Sequence, residues 1–117
     1  MKLIELVNAR KALANVAKAT ALPFPVAYKI TKFFKGTNED EEFYNTKISE
    51  LLKQNGEDDG EGKIVIPKEK VEEVNKLATE LADTEVEDSG IKFSANDFAT
   101  IQISVQDCAA LLPIMEE

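Results

Sequence analysis

The sequence predicts a mostly helical α+β domain: an antiparallel helical hairpin with an N-terminal helix, a small β-sheet and a short C-terminal helix. Three observations support this fold class. Apolar residues recur at helical spacing along most of the first 82 residues, a short β-branched segment follows an acidic glycine-rich loop, and two hydroxyl–acid pairs near the chain end resemble helix starts. With 117 residues, the chain is long enough for one hydrophobic core and too short for two.

The first helix is predicted over residues 2–20. Its apolar positions recur three and four residues apart between polar neighbours, and they include Leu3, Leu6, Val7, Leu13, Ala14 and Ala17. The prolines of Leu22-Pro23-Phe24-Pro25 end this helix, because the residue before a proline is biased away from helical geometry. Pro25 suits the first turn of a helix, so a second helix is expected to begin there.

The second helix is predicted to continue to about Lys53 along a heptad seam. The seam positions are Ile30, Phe34, Thr37, Glu41, Tyr44, Ile48 and Leu51. Gly36-Thr37-Asn38 interrupts the segment with weak helix formers, and Thr37 or Asn38 would suit the N-cap of a restarted helix. The sequence therefore allows one bent helix of about 28 residues or two helices broken near Gly36.

A helical hairpin is predicted from the next segments. Residues 55–62 are acidic and glycine-rich and predict a solvated loop, and residues 63–66 predict a short strand that Pro67 ends. Residues 68–82 then form an amphipathic helix about 22 Å long. Its length matches that of the part of the second helix that follows Asn38, so these two helical segments are expected to pack antiparallel.

The tail, residues 84–117, is predicted to form a small α/β unit. Residues 84–87 and 91–93 are strand-like, with a turn at residues 88–90, and residues 100–103 alternate as a strand does. Ser94 with Asp97, and Ser104 with Asp107, have helix-start patterns. A final helix is expected over residues 105–115, frayed by Pro113.

Charge is divided along this single domain. The basic arm, residues 1–35, has seven Lys or Arg and one acid, for a net +6. The acidic hairpin, residues 36–83, and the tail together have seven Lys and 21 acids, for a net −14. Opposite charges on two parts of a chain can pair within the molecule, between copies or with a partner, and each outcome indicates interaction rather than catalysis.

The predicted partner-binding residues come from both charged parts. Phe33 or Phe34 must face away from the seam, and we take Phe33 as the aromatic residue that marks a partner surface. The candidates are Arg10, Lys11, Lys29, Lys32, Phe33, Glu39, Glu42, Glu57, Asp58 and Asp59.

The composition argues against several chemical functions. The chain has no histidine, and its single cysteine, Cys108, cannot build a thiolate zinc site. An EF-hand test of the acidic loop fails because Ile66 occupies the position that requires a bidentate Glu. No phosphate-binding glycine loop or nucleophile elbow occurs. We therefore expect a non-enzymatic protein with no metal and no cofactor.

The same composition limits the partners. No apolar stretch approaches the roughly 20 residues of a membrane span, so no membrane association is expected. The anionic hairpin and tail oppose direct nucleic-acid binding by the arm's lysines. A protein partner is the expectation that remains.

Several segments, taken in order, resemble a family of small phage and prophage proteins. They are the start Met1-Lys-Leu-Ile-Glu-Leu-Val-Asn-Ala-Arg10, Leu22-Pro23 leading into Ala27-Tyr28-Lys29-Ile30, the acidic loop leading to Ile66-Pro67, and Ile103-Ser104. This family has no assigned function, so the resemblance implies a phage origin and a mostly helical α+β domain but no catalytic residues. Its members have a continuous long helix, from which Gly36-Thr37-Asn38 departs.

Two functional hypotheses follow. In the first, the chain is a phage interaction or assembly protein, and its basic arm docks on the acidic hairpins of neighbouring copies or on another phage protein. In the second, it inhibits a host factor, such as a defence nuclease, through an acidic surface that imitates nucleic-acid phosphates. Either protein would be found in the cytoplasm of the infected bacterial host, and an assembly protein also in the virion.

Overall fold

The computed structural model describes residues 1–19, 21–87 and 89–116. These residues form four α-helices and one two-stranded antiparallel ribbon, in the predicted α+β arrangement with a helical hairpin and a short C-terminal helix. The elements are α1 (Leu3–Ala19), α2 (Phe24–Asn55), β1 (Glu57–Asp58), β2 (Ile64–Val65), α3 (Lys68–Ala82), a 3-10 helix (Ala95–Phe98), α4 (Val105–Leu111) and a second 3-10 helix (Leu112–Ile114).

Helix α1 lies at the centre of the fold. It packs against α2, α3 and α4, and the side chains that it buries are Leu3, Leu6, Val7, Ala9, Ala12, Leu13 and Val16. The predicted N-terminal helix is confirmed, although Thr20, its last predicted residue, lies outside the described residues. The basic arm is therefore a main contributor to the core and does not protrude from it.

Helix α2 is one continuous helix of 32 residues, so of the two alternatives the unbroken one is confirmed. Gly36 lies in its interior without ending it. The next residue, Thr37, is buried, and its Oγ1 donates to the Phe33 carbonyl oxygen at 2.7 Å. Burial of Val26, Ile30, Phe33 and Thr37 on one face holds this half of the helix against the core and offsets the low helix propensity of Gly36.

The aromatic side chain that faces the core is Phe33 and not Phe34. Phe33 is 1% exposed and meets Phe93 edge-to-face, with ring centroids 6.3 Å apart. The prediction that Phe33 lies at a surface is therefore wrong. The observed buried face passes through Val26, Ile30, Phe33 and Thr37, and the predicted seam shares only Ile30 and Thr37 with it.

The helical hairpin is formed by α2 and α3, which pack against each other and are connected by the β1–β2 ribbon. In the ribbon, Glu57 pairs with Val65 and Asp58 with Ile64. Strand β2 confirms the predicted short strand, but its partner β1 lies within the segment predicted as loop. That segment forms a strand because the chain reverses at Gly60 and Gly62, both at positive φ, and brings it beside β2.

The tail contains less β-structure than predicted. Among its described residues, segments 84–87, 91–93 and 100–103 form no strand. Glu85 and Phe93 make isolated bridges with Lys2 and Met115 instead. Lys2 and Met115 lie outside any strand, near the two ends of the chain, so neither bridge extends into a ladder of paired residues. The predicted turn at residues 88–90 includes Asp88, which lies outside the described residues.

Both predicted helix starts in the tail are confirmed. Ser94 and Asp97 form a reciprocal capping box, although the helix that it begins is a 3-10 turn. The Ser104 side chain accepts from the Asp107 backbone N–H at the start of α4. Helix α4 ends at Leu111, earlier than predicted, and the chain continues as a 3-10 turn that contains Pro113.

The core and the outer part of the hairpin differ sharply in burial. The main core cluster contains residues of α1, the first half of α2, Phe93, Phe98 and the C-terminal helices. In contrast, α3 fully buries only Val74. The molecule is elongated, at 48 × 30 × 23 Å, and α2 alone is about 48 Å long at 1.5 Å per residue. The outer hairpin, defined as residues 38–82, is therefore thinly packed.

Candidate functional site

Arg10 joins the basic arm to the acidic hairpin within one molecule. Its side chain is 11% exposed, and its Nε donates to Glu41 Oε2 at 2.7 Å. Its Nη1 donates to the Phe34 carbonyl oxygen at 2.9 Å and to Thr37 Oγ1 at 2.7 Å. The guanidinium also lies 4.9 Å from the centroid of the Phe34 ring. Arg10 therefore binds α1 to α2 and is largely withdrawn from solvent.

Lys29 is engaged in a similar way with the tail. Its Nζ donates to Asp97 Oδ2 at 2.9 Å and to the Lys92 carbonyl oxygen at 3.2 Å. Burial by itself would raise the pKa of Asp97, but hydrogen bonds from the Ser94 backbone and from Lys29 outweigh it and hold this pKa below its ordinary value. Lys29 thus helps to fix the capping box of the tail against α2.

Lys11 and Lys32 remain exposed. The Lys32 Nζ lies 5.4 Å from the Tyr28 ring centroid, and Phe24 stacks on Tyr28 with centroids 6.5 Å apart. Phe24 and Tyr28 are 81% and 55% exposed. Of these three residues only Lys32 was predicted to bind a partner, although the spacing of four residues from Phe24 to Tyr28 to Lys32 indicates one helix face.

The five predicted acidic residues, Glu39, Glu42, Glu57, Asp58 and Asp59, are all exposed. Two of them also hold the ribbon turn. Asp58 Oδ1 accepts from the Gly60 N–H at 2.8 Å, and Asp59 Oδ1 accepts from the N–H groups of Glu61 at 2.8 Å and Lys63 at 3.2 Å. Asp58 and Asp59 therefore have a structural role in turn formation.

The predicted basic and acidic residues do not meet in one site. Among the ion pairs of residues 1–19, 21–87 and 89–116, none joins a predicted basic residue to a predicted acidic one. Arg10 pairs with Glu41 and Lys29 with Asp97, and neither acid is among the predicted partner-binding residues. Arg10 and Lys29 nevertheless show that part of the charge division is satisfied inside the molecule.

An apolar cleft on the outer hairpin is the surface that the sequence analysis did not identify. We call it the hairpin cleft; its volume is about 290 Å³, and it is lined by Phe43, Lys47, Glu50, Leu51, Gln54, Leu77, Leu81 and Thr84. Phe43 is 50% exposed and Leu77 37%. The Lys47 Nζ lies 5.6 Å from the Phe43 ring centroid and 3.3 Å from Glu50 Oε2. The cleft therefore combines an apolar floor with charges of both signs.

A second cleft lies between α1 and α4. It measures about 520 Å³, and Asn15 Nδ2 donates across it to Asp107 Oδ1 at 3.3 Å. Within the part of the chain that the structure describes, no three His, Cys, Asp or Glu side chains lie close enough together to hold a metal ion. Of the two clefts, the hairpin cleft exposes the larger apolar side chains.

None of the described helices combines the length and apolar character that crossing a membrane requires. When the chain is compared with models of protein families, with curated proteins and with solved structures, nothing matches it.

Proposed function

We propose that this chain is a non-enzymatic protein-interaction protein that binds a protein partner through the hairpin cleft. The observation that carries this proposal is the exposure of Phe43 and Leu77 in a cleft of the outer hairpin. Clustered large apolar side chains at a surface with a charged rim are typical of protein-binding sites.

The packing of the outer hairpin supports a docking role. Since Val74 is the one α3 side chain that is fully buried, little apolar surface holds this part of the molecule together. Further large apolar side chains also stay partly exposed on it, namely Leu52, Ile64, Val65 and Val71. A partner that covers the cleft would remove Phe43 and Leu77 from water and stabilise the outer hairpin at the same time.

The setting that we propose follows the sequence resemblance to small phage and prophage proteins. The chain would be a phage assembly protein, acting in the cytoplasm of the infected bacterial host and present in the virion if it stays in the assembly. Docking of the basic arm on another molecule would depend on Lys11 and Lys32, because Arg10 and Lys29 already hold carboxylates within the chain.

Affinity capture from phage-infected cells tests the proposal, with the full chain and its Phe43→Asp variant as baits. Phe24→Asp is the matched control, because it makes the same change on an exposed phenylalanine at the first residue of α2, distant from the cleft. We expect the wild type and the control to retain a specific protein that Phe43→Asp loses. Equal recovery of the same proteins by all three baits would refute docking through the cleft.

A second candidate function is supported by the exposure of Glu39, Glu42, Glu57, Asp58 and Asp59. In this alternative, the acidic hairpin occupies the basic cleft of a host factor such as a defence nuclease. It predicts that the double charge reversal Glu39→Lys with Glu42→Lys abolishes capture of a host protein, whereas Phe43→Asp does not. The alternative gives no role to the apolar floor of the cleft, and we therefore rank it second.

A further inference from the structure

Arg10 keeps two hydrogen-bond donors that no other described residue uses. A guanidinium group has five N–H groups. The Nε–H donates to Glu41, and the two N–H groups of Nη1 donate to the Phe34 carbonyl and to Thr37, so the remaining two are both on Nη2. Among the described side chains that are not exposed, no nitrogen is both buried and without a partner. The Nη2 atom therefore reaches solvent, held in place by the three bonds of its neighbours.

Two further clefts meet at Arg10, in the groove between α1 and α2. The larger measures about 360 Å³, and its lining includes Val7, Lys11, Ala14, Glu41 and Asn45. The smaller measures about 270 Å³, and its lining includes Lys35 and Asn38. Arg10 and Phe34 line both clefts. We therefore treat the two clefts as one surface and call it the Arg10 groove.

The Arg10 groove is cationic, although the chain as a whole is anionic. Arg10, Lys11 and Lys35 give it three positive charges, and Glu41 is the one acid among its described lining residues, for a net +2. Lys11 and Lys35 are exposed, and neither takes part in an ion pair with another described residue. Since Glu41 already accepts from Arg10 Nε at 2.7 Å, the charges of the two lysines remain available to a ligand.

We propose that the Arg10 groove binds the phosphate group of a small phosphate monoester. Such a group has a charge of about −1.5 to −2 at pH 7 and three strong acceptor oxygens. It matches the net +2 of the groove, and its oxygens can accept from Arg10 Nη2 and from the ammonium groups of Lys11 and Lys35. A carboxylate or a nucleic-acid phosphodiester has a single negative charge and would leave one of these cations unneutralised.

The larger cleft holds the organic part of the ligand. Val7, Ala14 and Phe34 supply apolar lining, and the Asn45 side chain supplies an amide that can both donate and accept. A volume of about 360 Å³ lies at the lower end of the range of small-molecule sites, which is roughly 300–1,000 Å³. The site is separate from the hairpin cleft, because the two share no described lining residue.

An NMR titration of the full chain with phenyl phosphate tests the inference. Phenyl sulfate is the matched ligand, because it has the same shape and three terminal oxygens but one negative charge fewer. We expect saturable shifts at Arg10, Lys11 and Asn45 with phenyl phosphate, and binding of phenyl sulfate about tenfold weaker. Shifts that do not saturate, shifts that lie elsewhere, or equal affinity for the two ligands would overturn the inference.

Single lysine variants locate the binding. Lys11→Gln and Lys35→Gln should each raise the dissociation constant of phenyl phosphate about tenfold, the effect of losing one charge-assisted hydrogen bond. Lys18→Gln and Lys32→Gln are the matched controls, since each removes one positive charge from an exposed lysine of the same two helices that lines neither cleft. Both should bind like the wild type. Equal weakening in all four variants would mean unspecific attraction and would refute the site.

The inference and the proposed function can fail separately. Phe43→Asp alters the hairpin cleft and leaves the Arg10 groove intact, so it should bind phenyl phosphate as the wild type does. Loss of a captured protein by Phe43→Asp, together with no binding of phenyl phosphate by the wild type, would refute the phosphate site and support the proposed function.

Discussion

Arg10 Nε and Glu41 Oε2 lie 2.7 Å apart, and they join the basic N-terminal helix to the acidic hairpin inside one molecule. Lys29 with Asp97, Lys2 with Asp83, and the N-terminal ammonium with Glu85 make further internal pairs between the basic arm and the rest of the chain. Part of the uneven charge along the sequence therefore stabilises the fold, because cations of the basic arm pair with carboxylates of the hairpin and the tail.

Arg10→Ala should lower the free energy of unfolding by about 2–3 kcal/mol. The substitution leaves Glu41, the Phe34 carbonyl and Thr37 without the donor that now serves all three. Arg10→Lys should recover only part of the loss, since a single ammonium cannot reproduce the planar fork of the guanidinium. Urea denaturation measures both.

Lys11→Ala is the control for this measurement, because Lys11 is the exposed neighbour of Arg10 on α1. Its effect should stay within about 0.5 kcal/mol. If Arg10→Ala lowered the free energy of unfolding no more than Lys11→Ala does, the packing of the basic arm would not depend on the Arg10–Glu41 pair.

Gly36→Ala should stabilise the protein by about 0.5–1 kcal/mol. A Cβ at position 36 would meet no atom within 4 Å, and the residue lies inside a continuous helix. Gly60→Ala is the matched control: a Cβ there also has open space, but φ is +86°, which strains any L-residue. Thermal unfolding should therefore shift in opposite directions for the two variants, and a destabilised Gly36→Ala protein would contradict the unbroken helix.

The helices were predictable from the sequence because their signals are local. Prolines mark the start of α2, apolar spacing marks α1 and α3, and Ser94 and Ser104 mark the helix starts in the tail. Whether Phe33 or Phe34 faces the core could not be read in this way. That choice depends on the rotation of α2 against α1 and the tail, which Phe93 and Arg10 fix through contacts distant in sequence.

Strand pairing, the hairpin cleft and the internal ion pairs were harder to predict, since all three arise between segments that are distant in sequence. The strand-like residues 100–103 form no strand because alternation alone does not supply a pairing partner. The hairpin cleft joins Phe43 to Leu77 across two helices, and the sequence pattern of either helix alone does not show that these side chains meet. The charge division can be read from the sequence. Which acids pair with Arg10 and Lys29 cannot, because the fold brings Glu41 and Asp97 beside them.

The phenylalanines of α2 should separate into core and surface types. Phe33→Ala should cost about 3–5 kcal/mol, because the side chain is fully buried against Phe93. Phe43→Ala should cost less than about 1 kcal/mol when measured on the monomer, since half of its surface already contacts water. Chemical denaturation at low protein concentration compares them, and equal losses would contradict the difference in burial.

Asp97 should make the free energy of unfolding depend on pH in the acidic range. Its pKa in the folded protein lies below its ordinary value, because the Ser94 and Lys29 hydrogen bonds outweigh the opposing effect of burial. A carboxyl whose pKa falls on folding contributes stability that is fully present above the unfolded-state pKa and is lost as pH falls through the folded-state pKa. Asp97→Asn should therefore cost about 1–2 kcal/mol near neutral pH.

The difference between wild type and Asp97→Asn should shrink as pH falls below the ordinary carboxyl pKa, and it should be lost once pH is below the lowered folded-state pKa, where wild-type Asp97 is neutral too. Lys29→Gln provides the matched test, because the Lys29 ammonium stabilises only the ionised form of Asp97. Its destabilising effect should shrink over the same pH range and should be smaller in the Asp97→Asn background. Urea denaturation across this range measures all four proteins. A constant difference at every pH would mean that Asp97 acts through shape rather than through its charge.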